Sequence, residues 1–110
     1  MSPAEIVEKQ LVAYNAHDAA AMAALFSEDA VMTDFKGNVI ERGRAGIRTR
    51  YAKLFADHPQ NQAEVVRRIT VNGIVMDHER VTRTPGAAPF EAIAVYTVEN
   101  GQITGMALGR

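Results

Sequence analysis

Apolar residues recur at helical spacing in the first half of the chain and at alternating spacing in the second. Val7, Leu11 and Tyr14 repeat with the helical period, and Ile6 and Gln10 fall on the same broad face. Ser2, Pro3 and Glu5 form a helix start: the serine caps, the proline takes the first helical position, and the glutamate completes a capping box. This helix is expected to end near Asn15. Asp18 then caps a second, short helix expected to reach Phe26, with Met22, Leu25 and Phe26 on its apolar side. Ser27-Glu28-Asp29 interrupts the pattern. Residues 30–35 read as a strand, Lys36-Gly37-Asn38 as a turn, and 39–42 as a short return strand. A third helix is predicted over about 44–57, with Ile47, Tyr51, Leu54 and Phe55 as its stripe and Pro59 just past its end.

Beyond Pro59 the alternation of strands takes over, in segments of about 63–71, 74–84, 90–99 and 103–108. Asn72-Gly73 and Asn100-Gly101 separate two pairs of them, and Asn-Gly between apolar runs is a strong hairpin signal. Helices first and hairpins afterwards imply an α+β domain, with the helices on one face of an antiparallel sheet. Along 90–98, Phe90, Ala92, Ala94, Tyr96 and Val98 face one way, and Ile93 and Val95 the other. A strand apolar on both sides needs both sides covered. With the helices on one face, the outer face is left for a second subunit, and a homodimer is expected.

The chain's 110 residues, 47% hydrophobic and 23% charged, suit one domain over 1–110 with one core. A net charge of -1 with no long run of one sign argues against a nucleic-acid binder that works through phosphate electrostatics. No apolar stretch approaches the roughly 18 residues of a membrane span, and the N-terminus has no signal-peptide pattern. A cytoplasmic protein without membrane contact is expected. The absence of Cys excludes disulfides, thiol nucleophiles and thiolate metal sites. No phosphate-binding loop or catalytic serine elbow occurs, and His17, His58 and His78 lie far apart without ligand spacing. Neither a cofactor nor a metal is implied.

Carboxylates carry the remaining chemistry. Asp34 shares a face with Ala30 and Met32 in an otherwise apolar strand. If that face lies under the helices, burial raises the carboxyl pKa towards the range useful for proton transfer. Alternatively, Asp34 ends the strand and caps the following turn from outside. Asp77, Glu79, Arg80 and Arg83 make segment 74–84 unusually polar, with Asp77 and Glu79 on one face and His78 and Arg80 on the other. Two carboxyls in one cavity would repel and push one pKa up. Equally, they pair with Arg67 or Arg68 on a solvated face.

The segments Asn15-Ala16-His17-Asp18 and Ala24-Leu25-Phe26-Ser27-Glu28-Asp29-Ala30-Val31-Met32-Thr33-Asp34 resemble the opening of the ketosteroid isomerases and their SnoaL-like relatives. GRAGIRTRY, from Gly43 to Tyr51, resembles the helix that follows in that family, and YTVENGQITGM, from Tyr96 to Met106, its last hairpin. The resemblance implies the nuclear-transport-factor-2-like cone, a curved sheet around three helices. That fold hosts isomerases, polyketide cyclases, epoxide hydrolases and noncatalytic dimerising modules. By the resemblance, Asp34 falls where the isomerases carry their general base. Their two oxyanion donors, a tyrosine and a protonated aspartic acid, are replaced by Gln10 and Ala94. Losing one such donor typically costs about 2.7–4 kcal/mol of transition-state stabilisation. The phenol of Tyr14, one turn beyond Gln10, or the Gln10 amide itself is a candidate substitute; alternatively, Tyr14 packs its ring in the core and hydrogen-bonds locally. An epoxide-hydrolase-like Asp-Arg-Asp set is disfavoured because Glu79 and Arg80 alternate in direction. The expected function is a pocket for a small hydrophobic molecule, with Asp34 as base in proton abstraction next to a carbonyl, or a noncatalytic pocket of the same fold. Expected lining residues are Gln10, Tyr14, Met32, Tyr51, Phe55, Ala94, Tyr96 and Met106, with Asp77, His78 or Glu79 at the polar end.

Overall fold

The computed structural model describes all 110 residues. Helix α1 spans Pro3–Asn15 and starts at the predicted capping box: the Ser2 hydroxyl accepts from the Glu5 amide at 3.2 Å, and the Glu5 carboxylate accepts from the Ser2 amide at 2.9 Å. Asp18 caps α2, which covers only Ala19–Ala23. The helix predicted to reach Phe26 stops earlier because strand β1, Phe26–Thr33, begins there and takes in Ser27-Glu28-Asp29 as well. Strand β2 is Val39–Arg42, and α3 is Gly43–Asp57. Strands β3 (Gln62–Val71), β4 (Ile74–Thr82), β5 (Phe90–Glu99) and β6 (Gln102–Gly109) complete the chain.

The six strands form one curved, unclosed sheet in the order β2-β1-β6-β5-β4-β3. Its hairpins are antiparallel as predicted. At Asn72 and Asn100 the turns carry a positive φ, 52° and 51°, which asparagine tolerates and a β-branched residue would not. The exception to the antiparallel expectation is β1 against β6, which run parallel. No short loop joins that pair, so nothing local dictates its direction. The helices cover the inner face, and Ile6, Val7, Met22, Phe26, Met32, Ile47, Val75, Tyr96 and Ile103 make a fully buried core between them and the sheet. Burying each such aliphatic or aromatic side chain contributes roughly 1.5–3 kcal/mol. No helix is long and apolar enough to cross a membrane.

Candidate functional site

Between α1, α3 and the inner face of the sheet lies a cavity of about 380 Å³. Its walls include Gln10, Tyr14, Met32, Tyr51, Ala94, Tyr96 and Met106, and its charged lining is Arg50, Lys53, Asp57, Glu79 and Arg83. Lys53 and Asp57, one helical turn apart, neutralise each other at 2.7 Å. Glu79 is then the one cavity carboxyl without a partner, and Arg50 and Arg83 are cations without an acidic one.

Strand alternation brings Glu79 there. Val75, Asp77, Glu79 and Val81 turn inwards along β4, while Ile74, Met76 and Arg80 are exposed on the outside. Asp77, with no exposure at all, is gripped by a two-pronged ion pair: Arg68 Nε to Oδ1 at 2.7 Å and Nη2 to Oδ2 at 2.9 Å. Arg68 reaches it across a β-bulge between Val65 and Arg67, and its Nη1 is held by Glu8 at 2.9 Å. Glu79 has no hydrogen bond, and it faces Val65 and Ala92 across the neighbouring strands. Burial, and secondarily the Asp77 charge, push its carboxyl up to about 7, with Arg68 pulling the other way. Two acids on one face thus have separate roles. One is a fixed anion, and the other can take and return a proton near neutrality.

Hydroxyls and amides complete the polar set. The Tyr14 hydroxyl accepts from Asn61 Nδ2 at 2.7 Å and lies 3.5 Å from Arg83 Nη1, so its own proton is free for a ligand. Tyr96 donates to Gln10 Oε1 at 3.2 Å. Gln10 Nε2 and the Tyr51 hydroxyl make no protein hydrogen bond. Burial, and then nearby Tyr14 and Glu79, raise the Tyr51 pKa far above neutrality. Tyr51 therefore remains a neutral donor at any working pH.

Several expected residues stand elsewhere. Asp34 lies past the end of β1, outside the cavity lining, and takes the turn-capping role: its carboxylate accepts from the Lys36 amide (2.8 Å), the Asn38 amide (2.9 Å) and Asn38 Nδ2 (2.9 Å). Those bonds, Asn38 foremost, hold its pKa below the usual carboxylate value, opposite to the rise expected of a buried base. His78 is on the outer face, bonded to Glu91 at 2.7 Å, because odd and even positions of β4 point apart. Asp77 is inward but closed off by Arg68. Phe55 stands behind the cavity wall, stacked on His17 at 4.8 Å. His17 is no free turn residue either, since its Nε2 donates to the Asn61 carbonyl at 2.6 Å.

Asn61 and Arg83 were not foreseen as site residues. Asn61 is completely buried and joins Tyr14, His17 and Arg83, whose Nη1 donates to its Oδ1 at 2.7 Å. Its neighbours Pro59, Gln60 and Gln62 look like an exposed connector, so nothing local marks it. Arg83 had one usable signal, since alternation continued from Glu79 through Val81 puts it on the cavity face.

The family described as the SnoaL-like domain matches residues 7–106. Among solved structures, an uncharacterised cystatin-fold protein from Novosphingobium aromaticivorans is 33% identical, with 100% of this chain and 99% of that one covered and a TM-score of 0.92. A candidate polyketide cyclase from Sinorhizobium meliloti is 22% identical, covering 96% and 94%, at a TM-score of 0.81. A protein of ketosteroid isomerase-like fold from Catenulispora acidiphila, solved with trimethylamine, is 20% identical, covering 100% and 87%, also at 0.81. No curated protein matches the chain.

Proposed function

The chain belongs to the SnoaL-like domain family, and from that premise we propose that it catalyses proton transfer next to the carbonyl of a small apolar molecule. The observation that carries this reading is the unpartnered Glu79 carboxyl in a largely apolar cavity, poised near 7. As a carboxylate, Glu79 takes the α-proton, breaking the C–H bond and forming its own O–H. The electron pair moves onto the carbonyl oxygen as an enolate, which the Tyr51 and Tyr14 hydroxyls receive as hydrogen-bond donors. Glu79 then returns the proton to the same carbon or, in an isomerisation, to a conjugated one. Glu79 replaces Asp34 in this role because Asp34 is committed to its turn. The same reading includes a homodimer joined through the outer face of the sheet.

The test is deuterium uptake at the α-carbon of 2-tetralone in heavy water, followed by NMR. Exchange is expected to exceed that in buffer and to rise with pH through about 7, levelling off above it as the base becomes fully ionised. Glu79→Gln should lower it by roughly 10²–10⁴-fold. The variant also has its own folding control. Because the folded carboxyl pKa is raised, wild type loses stability as pH climbs from the ordinary carboxylate range through about 7. E79Q lacks that loss and should gain in melting temperature relative to wild type between pH 5 and pH 8. Exchange no faster than in buffer, or unaffected by E79Q, leaves a noncatalytic ligand pocket.

A further inference from the structure

Resting on that proton-transfer reading, we propose that the substrates are small apolar carboxylic acids, their carboxylate seated on Arg83 and their reacting carbon beside Glu79. Arg83 lies just past the end of β4, four positions beyond Glu79, and both side chains line the same cavity. The cavity of about 380 Å³ therefore holds a cationic group and an acid–base group together, with Tyr51, Ala94 and Tyr96 among its walls.

Arg83 is built as a receptor for an anion. Its guanidinium is fixed by Nη1 on the buried Asn61 and by the Phe90 ring, 5.0 Å from its centre. No carboxylate of the protein lies within ion-pair distance, and Nε and Nη2 have no protein hydrogen bond. A half-buried guanidinium with its fork unused offers two parallel N–H groups, the geometry that a planar carboxylate accepts best. The surroundings have the same sign. Arg50 lines the cavity without an acidic partner, and the Arg110 guanidinium lies over the same Phe90 ring at 3.9 Å. Lys53 is already neutralised by Asp57. A cavity with this excess of positive charge, in a chain of net charge -1, discriminates by ligand charge as well as by shape. A neutral ketone leaves the fork unsatisfied, whereas a keto acid fills it.

Calorimetric titration of 3-(2-naphthyl)propanoic acid against its methyl ester and primary amide tests this directly. Wild type should bind the acid roughly tenfold to a hundredfold more tightly than either neutral analogue, the strength of a charged hydrogen-bonded contact. Arg83→Gln should abolish the preference while the ester binds as before, and Arg83→Lys should keep part of it by retaining charge without the fork. Should R83Q disturb the Asn61 contacts and misfold, a sodium chloride series on wild type gives the same answer: the acid weakens with salt and the ester does not. Acid binding no tighter than ester binding in wild type, or a preference that survives R83Q in folded protein, overturns the proposal. Failure of the proton-transfer reading has a different signature, because α-exchange is then absent while the acid still binds through Arg83.

Discussion

Asp77 and Glu79 stand two residues apart on one strand, point the same way and meet different partners. The alternation of β4 put both on one face from sequence alone. Which of them was neutralised could not be read there, because Arg68 faces Asp77 only through the bulge after Val65. Asp34 posed the converse difficulty. Its parity with Ala30 and Met32 was legible, but the strand ends at Thr33, and a carboxylate next to free turn amides takes them. Ser27 is a third local case. Its hydroxyl is buried on β1 with no hydrogen-bond partner, so the side chain is desolvated without compensation. Ser27→Ala should be neutral or stabilising by up to about 2 kcal/mol, measured by urea denaturation. A clear loss of stability would mean that the hydroxyl is bonded in solution.

Elements held together by local signals were the legible ones. The capping box of α1, the two Asn-Gly hairpins and the bounds of β5 follow from chemistry within a few residues. The short α2 and the early start of β1 do not, since β1 is fixed by a parallel partner at the far end of the chain. The β3–β4 pair makes an element-level prediction through its ion pair. Asp77→Asn leaves Arg68 partly buried without its main counter-ion. Breaking a buried pair in this way costs roughly 3–5 kcal/mol, and the lower end applies here because Glu8 remains as a second partner. The same substitution should move the pH midpoint of α-exchange downwards. Asp77 raises the Glu79 pKa and Arg68 lowers it, so losing the first and freeing the second act in one direction. Denaturation and the pH profile together separate this from a merely structural lesion, which would weaken folding and leave the midpoint in place.

On the scale of the whole molecule, the inner face of the sheet is closed by helices and the outer face is left bare. Cross-strand registers align Ile69, Met76, Val95 and Ala107 in one apolar row across β3, β4, β5 and β6. Ile69 and Met76 are 50% and 40% exposed, and Ile93 beside them is 43% exposed, far more than isolated surface apolar residues require. The polar pairs His78–Glu91 and Arg80–Glu64 border the row along the same face. An apolar centre with a polar rim is the anatomy of a subunit interface. In a two-fold dimer the same patch meets itself, so a charge placed in it is felt twice. Scattering from wild type at micromolar concentration should therefore give twice the 12.0 kDa chain mass, and Met76→Lys should give a folded monomer. Met76 points away from the cavity, so that monomer should still bind the naphthyl acid through Arg83. A wild-type monomer overturns the dimer, and a dimer unaffected by M76K moves the interface off this face. Loss of ligand together with the dimer would mean that the cone needs its outer face covered to hold the cavity open.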